Sequence, residues 1–158
     1  MSRTAAVILS LLVATLASAP RAEAILGASV RVGRSFIPDG RIPGGIVNAD
    51  IGPLNPFAEI YRKSGVTTVN LGGHILLKLP LPLVKPYGGI GGGITRSSGG
   101  GASRSRTLFS LKAGADLKIW GNAGLFGQIE YLYTFGSGSF GLVRKVAIQA
   151  GLAFGLGL

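Results

Sequence analysis

The sequence predicts an all-β protein: an eight-stranded antiparallel transmembrane β-barrel preceded by a cleaved signal peptide. Three observations lead there. The chain opens like an export signal, it is too apolar for a soluble domain (mean hydropathy +0.47, 14% charged), and past its opening it alternates apolar and polar residues. No later uncharged apolar run reaches the roughly 20 residues that a spanning helix needs. A closed sheet is the other way to satisfy every backbone N–H and C=O inside hydrocarbon.

The opening has a basic leader, Met1 to Arg3, an uncharged apolar core, Ala5 to Ala17, and the small-x-small signature Ala22-Glu23-Ala24. Cleavage after Ala24 divides the chain into a signal peptide, 1–24, and a barrel, 25–158; the earlier Ala17-Ser18-Ala19 is followed by Pro20, a poor residue after a scissile bond. The apolar core is too short for an anchor helix. With no cysteine, disulfides and thiolate metal sites are excluded.

Each strand is read from its parity. Leu26 to Gly33 sets Val30 and Val32 against Ser29 and Arg31, and Ile46 to Ile51 sets Val47 and Ala49 against Asn48 and Asp50. In Pro56 to Arg62, Ala58 and Ile60 face out while Glu59 and Tyr61 face in. Thr67 to Leu79 opposes Val69, Leu71, Ile75 and Leu77 to Asn70, Gly72, His74 and Lys78. Val84 to Arg96 turns Ile90 and Ile94 outward, with Lys85, Tyr87, Gly89, Gly91 and Gly93 inward, the glycines leaving room for long lysines opposite. Leu108 to Trp120 puts every charge on one face: Lys112, Asp116 and Lys118 with Ser110, against Phe109, Leu111 and Leu117. Leu125 to Phe135 places Gln128 and Glu130 inside, and Lys145 to Leu158 places Lys145 and Gln149 inside. The links 52–55, 80–83 and 120–122 are tight and uncharged, as periplasmic turns are. The alternate links, near Arg34 to Gly45, Arg62 to Gly65, Arg96 to Arg106 and Gly136 to Arg144, are mostly longer and basic, as extracellular loops are. Arg96 to Arg106 has the composition of a flexible linker.

The segments Val84 to Gly93 (VKPYGGIGGG) and Leu125 to Phe135 (LFGQIEYLYTF) resemble strands of the outer-membrane β-barrel domain family, which includes the OmpA transmembrane domain, OmpX and the opacity-type surface proteins. The resemblance covers about 25–158 and implies a barrel in the bacterial outer membrane with a structural, adhesive or surface-interaction role. It also implies the barrel-assembly machinery as a partner during insertion. Family members commonly end their last strand on an aromatic residue; here the end is Leu158, with Phe154 four residues earlier.

Parity divides the charges into two sets. Arg31, Asp50, Glu59, His74, Lys78, Lys85, Lys112, Asp116, Lys118, Glu130 and Lys145 face the lumen. Eight strands leave an interior only wide enough for side chains, so these residues are expected to form a hydrogen-bonded plug rather than line a channel. Arg34, Arg41, Arg62, Lys63, Arg96, Arg104, Arg106 and Arg144 fall in or beside the outward loops, opposed only by Asp39, and are expected to contact lipopolysaccharide phosphates. The pI near 10.7 invites a nucleic-acid reading, but an exported barrel seldom meets that ligand.

Other motifs carry less. Gly136-Ser137-Gly138-Ser139-Phe140-Gly141 fits G-x-G-x-x-G, but a strand rather than a helix follows, so a hairpin connection is expected. His74 is the only histidine and lacks partners for zinc; neither a metal nor a cofactor is expected. Some barrels are lipid-modifying enzymes with a Ser/His/acid set, and Ser110 and His74 are candidates, but no spacing unites serine, base and acid on one face. Tyr131, Tyr133, Phe135, Phe109 and Trp120 read as membrane-interface girdle residues. The expectation is a non-enzymatic, monomeric outer-membrane barrel in contact with outer-membrane lipid; a lipid A-modifying enzyme and a small passive channel are the alternatives.

Overall fold

A computed structural model describes residues 28–79, 81–135 and 143–155. The strands are β1 (Ala28–Ile37), β2 (Ile42–Ile51), β3 (Leu54–Lys63), β4 (Val66–Lys78), β5 (Val84–Gly99), β6 (Ala102–Trp120), β7 (Ala123–Phe135) and β8 (Val143–Gly155). Each pairs antiparallel with its sequence neighbours, and β1 closes on β8 from Ser29↔Gly155 to Phe36↔Ile148. Closure removes the free edges, so no described strand is left with a row of unpaired backbone groups facing lipid. The start of β1 and the end of β8 lie together at one end of the barrel, the terminal end; the turns after β1, β3 and β5 lie at the other, the hairpin end.

The alternation holds in three dimensions. In β3, Asn55, Phe57, Glu59 and Tyr61 are buried, whereas Leu54, Pro56, Ala58 and Ile60 are exposed; β7 likewise buries Phe126, Gln128, Glu130 and Leu132. The outer surface is apolar, carrying Val32, Val47, Ile75, Ile94, Ile129 and Leu152 among its exposed side chains. Trp120 and Phe154 lie towards the terminal end of that surface; Phe36, Tyr131 and Phe135 lie towards the hairpin end. These two aromatic bands bound a hydrophobic belt, as membrane barrels require.

Three sequence expectations change. Strands reach further towards the hairpin end than their composition suggests, because hydrogen-bonded pairing continues through polar residues once a tight turn sets the register. Arg96 to Arg106 is therefore not a linker-like loop: Arg96 pairs with Ser105 and Ser97 with Arg104, and only Gly100 and Gly101 turn the chain. Both have positive φ, 58° and 80°, as a two-residue hairpin of the right twist needs. Likewise the long basic link after β1 contracts to 38–41, leaving Arg34 inside β1, while Leu54 and Asn55 belong to β3 rather than to a turn. The glycines of β5 make room not for lysines but for their neighbours on β4: a Cβ on Gly91 would come within 2.7 Å of His74 Cγ, and one on Gly89 within 2.6 Å of Leu76 Cδ2. The signal peptide and its cleavage point, the glycine motif at 136–141 and the last residues to Leu158 lie outside the described residues.

Candidate functional site

The lumen holds two linked polar clusters. In the lower one, nearer the terminal end, Arg31 from β1 lies between two carboxylates: Nη1 is 2.7 Å from Asp50 Oδ2, while Nε and Nη2 donate to Asp116 Oδ1 and Oδ2 at 2.8 and 2.5 Å. The fork fits the Asp116 carboxylate bidentately, the geometry in which a guanidinium binds best. Lys78 Nζ and Ser29 Oγ add contacts to Asp50 Oδ2 at 2.6 Å each, and the Arg31 guanidinium lies 4.8 Å from the Tyr87 ring centroid. Two bases meet two acids, so this cluster is formally neutral.

The upper cluster is built around two buried glutamates. Gln149 Nε2 donates to Glu59 Oε1 at 2.5 Å and to Glu130 Oε2 at 3.3 Å, and its own carbonyl accepts from Gln128. Asn70 and Tyr61 donate to Glu59 Oε2 at 2.9 and 3.2 Å, and Tyr87 donates to Gln128 at 2.7 Å. Lys112 Nζ lies 3.9 Å from Glu130 Oε2, 5.3 Å from the Phe57 ring centroid and 3.3 Å from Asn55 Oδ1. Asn55 joins the two clusters, since its Nδ2 donates to Asp50 Oδ1 at 2.7 Å. A charge in this interior is tolerable only when paired and hydrogen-bonded, which is what these contacts supply.

Contrary to the sequence expectation, serine, histidine and acid do meet: His74 Nε2 lies 2.7 Å from Ser110 Oγ and 3.0 Å from Glu130 Oε1. Strand pairing through β4, β5 and β6 sets Ser110 and His74 opposite the same residue, Gly91, a proximity that linear spacing does not reveal. The arrangement is nonetheless not that of a nucleophilic triad, in which the base touches serine through one nitrogen and the orienting acid through the other. Here both contacts fall on Nε2, and the buried Nδ1 has no hydrogen-bond partner. Ser110 and Glu130 are wholly buried. Among the described residues no group of three or more His, Asp or Glu side chains could hold a metal ion.

Of the expected lumen residues, Arg31, Asp50, Glu59, His74, Lys78, Lys112, Asp116 and Glu130 join the clusters. Lys85 and Lys118 do not: they share the inward parity but lie near the terminal ends of β5 and β6, exposed. Lys145 is at the hairpin end, above the plug rather than in it. The sequence reading missed Asn55, hidden in an expected turn, and the apolar side chains Ile37, Leu108, Leu132 and Ala147, which pack with Tyr61 above the upper cluster, while Phe57 lies lower, against the His74 ring. Their inward parity was the available signal.

The expected lipopolysaccharide set also divides. Arg34, Arg62, Arg96 and Arg144 have outward parity and are exposed on the lipid-facing side of the hairpin end, where Arg96 Nε donates to Ser103 Oγ at 3.0 Å. Lys63, Arg104 and Arg106 have inward parity and line the mouth, with Lys63 Nζ donating to the Gly40 carbonyl at 2.6 Å. Arg41 sits in the exposed turn between β1 and β2.

No protein-family model and no curated protein sequence matches the chain. Solved structures do. Neisserial surface protein A matches with a TM-score of 0.60 at 16% identity, covering 81% of this chain and 95% of that one. The N-terminal β-barrel domain of Pseudomonas aeruginosa OprF matches with a TM-score of 0.57 at 10% identity, over 83% and 98% of the two chains. Ail, the attachment invasion locus protein of Yersinia pestis, matches at 0.50 and 16%, over 82% and 97%. The outer membrane enzyme PagL matches at 0.50 and 10%, over 81% and 98%. The fold is thus that of the small eight-stranded outer-membrane barrels.

Proposed function

We propose that this chain is a non-enzymatic outer-membrane barrel with a structural or surface-interaction role, its lumen closed by the buried network and its outer basic belt engaging lipopolysaccharide phosphates. The observation that carries the reading is the parity of Arg34, Arg62, Arg96 and Arg144. All four turn to the lipid side at the hairpin end, which on this reading is extracellular, beside the aromatic band of Phe36, Phe109, Tyr131 and Tyr133. An arginine fork at that depth suits phosphate, and Asp39 is the one described acid near that end. The likeness to a surface protein and to an attachment invasion locus protein fits a surface role. The likeness to an outer membrane enzyme fits the enzyme alternative only weakly, because Ser110 and Glu130 contact the same imidazole nitrogen in a sealed interior. A passive channel is disfavoured by the buried mid-lumen side chains, from Asn55 through Glu130 to Leu108.

The test replaces Arg34, Arg62, Arg96 and Arg144 by glutamine together, with retained heat-modifiable gel migration as the check on folding. Each exposed contact contributes about 1 kcal/mol or less, so the fourfold variant should bind purified lipopolysaccharide about tenfold more weakly at low salt, and the gap should close as salt screens the parent. Equal affinity at every ionic strength would remove the phosphate role. Single-channel currents through the parent would favour the channel, and altered lipid A masses in expressing cells would favour the enzyme.

A further inference from the structure

The hairpin end also contains a cavity of about 470 Å³ that the belt reading does not use. Its floor is apolar: Leu108 and Leu132 are nearly inaccessible, and with Ile37 and Tyr61 they form the top of the packed layer over the polar clusters. Tyr61 turns its hydroxyl down, to Ser35 at 2.7 Å and Glu59 at 3.2 Å, so the floor offers the cavity an aromatic face rather than a polar group. The wall carries hydroxyls, including the Thr68–Ser97 pair at 2.9 Å. Around the top stand Lys63, Arg104, Arg106 and Lys145, and among the described residues no acidic side chain lines the cavity.

Such a lining is selective. Volumes of about 300 to 1,000 Å³ are those of small-molecule sites, which pair an apolar body with a few placed polar groups. Four cations without a carboxylate among them raise the local concentration of anions, and with low-dielectric walls they focus the field into the mouth. A free inorganic anion would use the ring and leave the floor wet, a polyhydroxylated anion would press hydroxyls on Leu108 and Leu132, and an apolar cation would be repelled. We propose that this cavity is a binding site for a single-chain amphipathic anion of the fatty-acid type, its alkyl tail on the floor of Ile37, Leu108 and Leu132 and its carboxylate among Lys63, Arg104, Arg106 and Lys145. The site is distinct from the outer belt, because its bases have inward parity and those of the belt outward.

The experiment is a methyl NMR titration of the full barrel in zwitterionic lipid nanodiscs with decanoate, decanol, decyltrimethylammonium and inorganic phosphate. Decanoate should shift the methyls of Ile37, Leu108 and Leu132 saturably while leaving the outer-face methyls of Ile119 and Leu152 on the line set by bilayer partition. The other three probes should not shift the floor methyls. Arg104→Gln with Arg106→Gln should weaken decanoate about tenfold, and the lysine pair Arg104→Lys with Arg106→Lys should restore most of it. Equal floor shifts from decanol, saturation by phosphate alone, or decanoate affinity indifferent to the glutamine pair would each overturn the proposal. The glutamine pair leaves the outer belt intact, so loss here with unchanged lipopolysaccharide binding separates this site from that one.

Discussion

Glu130 is the residue on which most of the upper cluster depends, and Glu130→Ala is the most informative single change. The side chain is fully buried and contacts His74, Gln149 and Lys112. Without it, His74 keeps Ser110 and Gln149 keeps Glu59, so those two groups remain partnered. Lys112 fares worse: its buried Nζ loses its ion-pair partner and retains the 3.3 Å contact to Asn55 and the Phe57 ring, with Glu59 the remaining carboxylate of the cluster beyond ion-pair distance. Breaking a buried pair from one side costs about 3 to 5 kcal/mol, because the surviving charge is left uncompensated. Urea unfolding in detergent, followed through the only tryptophan, Trp120, on the outer face, measures the loss. Adding Lys112→Met to Glu130→Ala should recover at least about 1 kcal/mol, since the stranded charge then disappears. A loss below about 0.5 kcal/mol for Glu130→Ala, or strict additivity of the two changes, would refute the claim that the pair is desolvated and matters to the fold.

Two further stability predictions use the same unfolding measurement. Leu71 lies near the middle of β4 on the outer face and Leu77 near its terminal end, so Leu71→Arg should cost about 2 to 4 kcal/mol and Leu77→Arg about 1 or less; equal costs would contradict the membrane frame. A Cβ at Gly91 meets the His74 ring whereas one at Gly127 meets nothing, so Gly91→Ala should lose about 1 to 3 kcal/mol and Gly127→Ala should be neutral or slightly stabilising. A neutral Gly91→Ala would mean that His74 does not pack there.

The faces of the strands were legible because parity is a property of single residues in order: Arg31, Asp50, Glu59, His74, Lys112 and Glu130 all point where period two sends them. Height along the barrel was not legible in the same way. Arg31 meets Asp116 across 85 positions of sequence, and His74 meets Glu130 across 56, separations fixed by the registers of intervening strands. Parity puts Lys85 and Lys118 on the same face as Lys112, yet only register shows that they stand beyond the clusters. Strand ends failed for a related reason. Arg96 to Arg106 reads as a linker by composition, but pairing needs only backbone groups and a turn, which Gly100 and Gly101 provide.

The buried charges also have a role in choosing the structure. A slip of one residue in any strand exchanges its two faces, and a strand as rich in glycine as β5, with Gly88, Gly89 and Gly91 to Gly93, does little by itself to prevent it. In β6 the same slip would send Lys112 and Asp116 into lipid and bring Phe109 and Leu111 inside. A charge near the midplane costs about 2 to 4 kcal/mol, and the bond to Arg31 and the contacts to Glu130 and Asn55 would be lost as well. The glycine-rich β5 takes its register from the strands on either side: His74 of β4 packs over Gly91, and the backbone of Lys85 stands opposite Asp116, the β6 residue that Arg31 holds. Net basicity therefore divides by position. Arg31, Lys78 and Lys112 hold the register, whereas the bases of the hairpin end, free of that duty, are those proposed to meet phosphate on the outer face and an anionic amphiphile at the mouth.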